Sequence, residues 1–280
     1  MERLQAAIDK ARQKRASEKG AAGPSGGVGE AVREIVAANP PEGLAEAWAG
    51  LSVFSPKPAH LDEMRIVAHQ MGPLSGPFEI MRTKLLLQMR ANNWRRIAIT
   101  SPTSGCGKTT ISLNLAFCLA RQTDLRVMLI DLDLRRPSVA PTLGVTRDLQ
   151  LSRALAGTEP AQAHMMRIGA NFAFAVNRTL THNPAELLQG VHAAEVLDRI
   201  EAEYAPDIML FDTAPMLVAD DTIGFLDQVD CALLVAAAER STLEEVGKCE
   251  ADLTARTNVL GVVLNKCRYR DKAENYGYNY

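Results

Sequence analysis

The chain has no surplus of either charge: 31 Lys and Arg stand against 33 Asp and Glu, a formal net charge of −2. Nucleic-acid binders carry a basic excess, so that partner class is set aside. Any apolar run approaching the roughly 18 residues of a membrane span is also absent. The charged, helical opening MERLQAAIDKARQKR is followed by no apolar stretch of the kind that directs secretion. The five cysteines (Cys106, Cys118, Cys231, Cys249 and Cys267) show no CxxC pair, metal spacing or disulfide framework. Their usage predicts a reducing, cytoplasmic setting. No internal repeat is visible. What is present is ordinary globular composition, 47% hydrophobic and 23% charged, in a chain long enough for an α/β domain of about 200 residues with appendages.

Leu4, Ile8 and Ala11 fall at helical spacing, so residues 1–15 are predicted as a short amphipathic helix. GAAGPSGGVGE, residues 20–30, is predicted as a flexible linker. A further helix is expected around Ala31–Ala38, after which the prolines at 40, 41, 56 and 58 interrupt the pattern. Residues 1–60 are therefore expected to form a helical, flexible N-terminal extension, with a single domain over 61–267 and a tail over 268–280.

Within 61–267, six short apolar segments read as strands: 96–100, 127–133, 172–176, 207–213, 231–237 and 259–265. Helical patterns lie near 77–91, 108–121, 184–203 and 242–256. Near-continuous apolar strands alternating with helices predict an α/β fold, with a mainly parallel sheet covered by helices on both faces. Ligands of such sheets bind at the C-terminal ends of the strands.

One strand–loop–helix segment, RIAITSPTSGCGKTTISLNLAFCLA, carries the features of a phosphate-binding loop. Gly105 and Gly107 allow the backbone N–H groups of Ser104, Gly105, Cys106, Gly107, Thr109 and Thr110 to face a polyphosphate. Lys108 can reach the β- and γ-phosphates, and Thr109 is positioned to ligate Mg²⁺. Pro102 stands where such loops usually have their first glycine. Two further apolar strands end in carboxylates: Asp131 and Asp133 after VMLI, and Asp212 in DIMLFDT. Alternation along a strand puts Asp131 and Asp133 on one face. Asp212 suits a metal-holding role, and one of Asp131 and Asp133 is left to orient or deprotonate a hydroxyl. ATP and Mg²⁺ are thus the expected ligands. Arg135 and Arg136 are either solvated or stabilise phosphate charge. Cys106 reads as a small residue that fits the loop.

SPTSGCGKTT, LIDLDLRRP (Leu129–Pro137) and FDTAP (Phe211–Pro215) resemble the three Walker-type motifs of the bacterial tyrosine kinases, the cytoplasmic autokinases of exopolysaccharide and capsule synthesis. HNPAELL (His182–Leu188) and VLNK (Val263–Lys266) extend the resemblance over about residues 65–267. It implies catalytic roles for Lys108, Asp131 and Asp133, and metal roles for Thr109, Asp131 and Asp212. It also implies a membrane-embedded polysaccharide co-polymerase as activator, which would recruit the chain to the inner face of the plasma membrane, and homo-oligomers and further protein substrates. The family's Glu-x-x-Arg-x-x-Arg assembly helix is only partly matched, by Glu79 and Arg82, with Leu85 at the third position; Glu79 and Arg82 alone would read as a surface pair.

Four of the five tyrosines, Tyr269, Tyr276, Tyr278 and Tyr280, lie in the last 12 residues. That segment has no apolar periodicity, so the rings are not expected in a core, and the resemblance makes them autophosphorylation sites. An alternative reading is a dimerisation switch of the septum-positioning or partitioning ATPase type. Its signature loop lysine is replaced here by Thr103. Asn265-Lys266-Cys267-Arg268 lacks the acid that reads guanine in GTPases, so ATP is the expected nucleotide and Asn265 a candidate adenine contact.

Overall fold

The computed structural model describes residues 43–268. The expected helix over 1–15, the 20–30 linker, the helix around 31–38 and the four tail tyrosines lie outside the described residues.

Eight strands form one sheet: β1 (Ser52–Val53), β2 (Arg96–Thr100), β3 (Val127–Leu132), β4 (Met165–Ile168), β5 (Phe172–Ala175), β6 (Ile208–Thr213), β7 (Cys231–Ala237) and β8 (Asn258–Asn265). Their order is β1-β4-β5-β3-β6-β2-β7-β8. All pairs are parallel except β4–β5. The longer helices are α3 (Gly76–Asn92), α4 (Lys108–Ala120), α8 (Val191–Tyr204) and α10 (Leu243–Arg256). Between them lie α1 (Leu44–Gly50), α2 (Pro58–Glu63), α5 (Val139–Leu143), α6 (Leu151–Leu155), α7 (Pro184–Gln189) and α9 (Asp221–Phe225).

The central strands show why their sequences are apolar throughout. Ile97 and Ile99 of β2, Val127 and Leu129 of β3, and Ile208 and Leu210 of β6 pack into the core on one face, with α3 and α4. Ala98, Met128, Ile130, Met209 and Phe211 pack on the other, with α6 and α8. Both faces are covered, so neither can be polar.

The folded body begins well before residue 61. Leu44 and Trp48 of α1, and Leu51, are buried in the second core. Trp48 Nε1 donates to Tyr204 O at 2.7 Å, and β1 pairs with β4. The prolines that break the pattern here separate short elements of the domain. Pro58 opens α2 at a first-turn position where its missing N–H costs nothing.

Other boundaries moved for local reasons. The single helix expected over 184–203 is two, broken at Gly190, whose extended backbone (ψ 138°) ends α7 and starts α8. Strand β3 ends at Leu132, so Asp133 lies just beyond it. β4 is a short MMRI segment paired antiparallel to β5, below the length at which alternation is legible. Thr242 and Glu245 form the capping box that starts α10. Among the described residues no helix is long and apolar enough to cross a membrane.

Candidate nucleotide site

β2, β3 and β6 are neighbours in the sheet, and their C-terminal ends bring the three motifs together. The loop after β2 turns through Gly105 (φ 79°) and Gly107 (φ 89°), both left-handed. A Cβ at Gly107 would collide with the Asn265 side-chain amide, so glycine is required there by conformation and by space. Gly107 directly precedes α4, which has no side-chain cap. Its first-turn N–H groups therefore remain available to an anion.

Lys108 is buried at the start of α4. Its Nζ lies 2.6 Å from Asp133 Oδ2 and 4.0 Å from Asp212 Oδ1. Thr109 Oγ1 donates to Asp212 Oδ2 at 2.5 Å and lies 2.7 Å from Ser138 Oγ. Ser112 Oγ donates to Asp212 Oδ1 at 3.2 Å. Asp131 accepts from the backbone N–H of Asp133 at 3.2 Å and of Val139 at 3.3 Å. The expected group of Lys108, Thr109, Asp131, Asp133 and Asp212 thus converges. Asp133 pairs with the lysine, while Asp131 holds the start of the next turn.

The electrostatics follow from burial. Asp131 and Asp212 are fully buried, and desolvation pushes both carboxyls up. Asp212 adds to the upward push on Asp131, whereas for Asp212 the pull of Lys108 and the Thr109 hydroxyl opposes it. Burial would lower Lys108, but Asp212, Asp133 and Asp131 outweigh it and the ammonium is held above its ordinary range. The Cys106 thiol is pushed up by burial and pulled further down by hydrogen bonds, chiefly to Ser241 and Thr103.

These residues suit a metal–nucleotide complex. The donors around Thr109 and Asp212 are hard oxygens, the type Mg²⁺ prefers. Among the described residues no three His, Cys, Asp or Glu side chains converge as a metal cage. Mg²⁺ at nucleotide sites takes one or two protein ligands and fills its octahedron with phosphate oxygens and water, so no cage is needed.

Two of the expected residues also have partners within the protein. Asn265 Nδ2 donates to Cys106 O at 2.9 Å, so its amide N–H holds the phosphate loop; the side-chain oxygen is what could face a base. Arg135 makes a two-point ion pair with buried Asp221 at 2.6 and 2.9 Å, which joins the turn after β3 to the start of α9. In α3, Glu79 bonds Arg121 Nη2 at 2.7 Å, Arg82 Nη1 donates to Cys118 O, and Leu85 is buried. Sequence reading missed Ser112, Ser138 and Asn177. Asn177 Nδ2 donates to Asp131 O at 2.9 Å, and its Oδ1 accepts from Ser152 N. Ser112 lies one turn after Thr109, where helical spacing could have exposed it; nothing in the local pattern signals Asn177.

Known proteins are similar to this chain in sequence and fold. Residues 97–278 match the CobQ/CobB/MinD/ParA nucleotide binding domain. EpsB of Ralstonia nicotianae, assigned as a tyrosine-protein kinase, is 30% identical over 252 residues, 84% of this chain and 33% of EpsB. Tyrosine-protein kinase YwqD of Bacillus subtilis is 29% identical over 206 residues, 73% of this chain and 85% of YwqD. The solved kinase domain of Escherichia coli tyrosine kinase ETK is 32% identical and superimposes with a TM-score of 0.64, covering 72% of this chain and 80% of that domain. The chain spans about a third or less of the first curated relatives it matches. It belongs to the CobQ/CobB/MinD/ParA nucleotide-binding family and, within it, to the bacterial tyrosine kinases.

Proposed function

We propose that this chain is an ATP-dependent protein-tyrosine kinase whose first substrates are Tyr269, Tyr276, Tyr278 and Tyr280 of its own tail. The observation that carries this reading is the meeting of Lys108 and Thr109 with Asp133 and Asp212 at one uncapped helix start. In the proposed site, Lys108 steadies the β- and γ-phosphates, and the loop N–H groups of residues 104–110 bind phosphate oxygens. Thr109 and Asp212, with Asp131 nearby, would hold Mg²⁺, which would supply charge neutralisation on the transferring phosphoryl group. One of Asp131 and Asp133 orients the acceptor tyrosine and takes its proton as the oxygen–phosphorus bond forms, and ADP departs with the bridging oxygen. The Asn265 oxygen is the proposed adenine contact.

Its setting is exopolysaccharide or capsule synthesis, with a membrane-embedded co-polymerase as activator and a homo-oligomeric assembly at the inner face of the membrane. Thr103, in place of the lysine that marks dimerisation-switch ATPases, favours the kinase. The deciding experiment incubates full-length protein with labelled ATP and Mg²⁺, alone and with the cytoplasmic end of a co-polymerase, and maps phosphotyrosine by mass spectrometry. Label on the tail tyrosines is expected. ATP hydrolysis with nucleotide-dependent dimerisation and no phosphotyrosine in either arm would favour the switch.

A further inference from the structure

The phosphate loop is roofed by two segments of which the kinase reading uses only the Asn265 side chain. These are the turn after β7 (residues 238–242) and the turn after β8 (265–268). They are tied together: Ala238 N donates to Asn265 O at 2.8 Å, and Arg268 Nε lies 3.6 Å from Glu239 Oε2. Each contains a non-glycine residue in left-handed conformation, Glu239 (φ 62°) and Lys266 (φ 61°). Such residues are uncommon, and strain of this kind gathers where a side chain must be aimed.

What the first turn aims is Arg240. Its guanidinium lies across Gly105, so close that a Cβ there would sit 2.9 Å from Nη1. Nη2 donates to Ser104 O at 3.5 Å, a long bond that engages one of the five N–H donors of the group. The neighbouring Ser241 Oγ accepts from Ala237 N at 3.0 Å and lies 3.6 Å from Cys106 Sγ. Arg240 is exposed. On the second turn, Lys266 Cε comes 3.9 Å from where a Cβ of Gly107 would be. Cations from two separate turns, after β7 and after β8, thus lie beside Gly105 and Gly107 of the loop.

We propose that Arg240 is a nucleotide-binding residue, supplying from outside the loop a second positive charge to the phosphate chain of the bound nucleoside polyphosphate. The proposal rests on the nucleotide-site reading above and deepens it. A planar fork of donors suits phosphate oxygens, and its weak hold on Ser104 O leaves it free to re-aim when phosphate arrives. Because it is solvent-exposed, its effect is modest and screened by salt.

Equilibrium competition binding on the full-length chain tests this, with ADP and adenosine as probes and wild type, Arg240→Ala, Arg240→Lys and Lys108→Met as variants. At low ionic strength Arg240→Ala should bind ADP about fivefold more weakly, the size expected of an exposed charge pair. Its adenosine affinity should be unchanged. Arg240→Lys should recover part of the loss, and 0.5 M salt should shrink the difference. Equal ADP binding by wild type and Arg240→Ala overturns the proposal. A loss shared by ADP and adenosine overturns it too, because that would reflect a deformed loop. If wild type binds no ADP, or Lys108→Met binds it as well as wild type, the nucleotide-site reading fails and the proposal with it.

Discussion

Strand β2 has buried charge at both of its ends, and the two ends handle it in opposite ways. At its N-terminal start, Arg96 is buried against Glu201 and Asp198 of α8, with bonds of 2.6 Å from Nε and from Nη2, and its Nη1 donates to Gln228 O. Asp230 beside it accepts the backbone N–H groups of Arg95 and Arg96 at 2.7 and 2.9 Å. At the C-terminal end, Asp131, Asp133 and Asp212 gather around Lys108, and two of the three carboxyls are pushed up. A guanidinium met by acids on several sides ties helix to sheet. Carboxylates in excess of the cation beside them mark a site completed by something else that brings positive charge.

The sharpest way to break this contrast is at the lysine. Lys108→Met should lower autophosphorylation by about 10²-fold or more, since phosphoryl transfer depends on electrostatic positioning. Circular dichroism should still show a folded domain. Wild-type phosphotyrosine in such a variant would remove Lys108 from the site.

At the other end the effect should be on stability. Arg96→Ala leaves Glu201 buried without its guanidinium, a loss of about 3 kcal/mol. Urea denaturation should report it as a lower midpoint at unchanged slope, with nucleotide affinity of the folded protein retained. A midpoint near that of wild type would mean that this buried cluster adds no net stability.

Asp212→Asn should sharpen the comparison from the metal side. It keeps an acceptor for Thr109 and removes a charge, so calorimetry should find ADP binding less responsive to Mg²⁺ than in wild type. An identical Mg²⁺ response would make Asp212 structural.

The smallest effect is predicted for Asp131→Asn, and it runs opposite to Arg96→Ala. Asp131 binds its proton more tightly folded than unfolded. Above the unfolded carboxylate range the folded state therefore holds more protons, and stability falls as pH rises through the window up to its raised folded value. Asparagine removes that penalty. Thermal scans at pH 7 should give a Tm about 2–4 °C higher than wild type, with the gap closing as pH falls toward 4. A lower Tm at neutral pH would mean that the charged carboxylate contributes net stability through Val139 and Asp133.

Among the described residues, five of the six strands legible as apolar runs are buried on both faces, and such burial writes itself into composition. The sixth, edge strand β8, is half-buried to exposed yet still apolar in sequence. Strands β1 and β4 were not legible, being two and four residues long. The region before residue 61 misled for a related reason: four prolines and short elements leave no period to detect, although Trp48 and Leu51 are buried. That the Gly105–Gly107 loop, Lys108, Thr109 and the three acids would meet was legible because each ends or follows a recognisable apolar strand.

The amino-acid order alone therefore determined the parallel α/β class, the Gly105–Gly107 loop, the lysine and threonine that follow it, and the three acids. These depend on local backbone conformation and on spacing within one segment. Tertiary structure alone decided how the parts are shared out. It paired Lys108 with Asp133 and Thr109 with Asp212, turned Asn265 onto the loop backbone, tied Arg135 to Asp221, and laid Arg240 across Gly105. Each joins residues from strands or loops remote in sequence, and such a partnership leaves no periodicity in either segment. It arises only when the order of strands in the sheet sets β2 between β6 and β7 and brings their ends within reach of one loop.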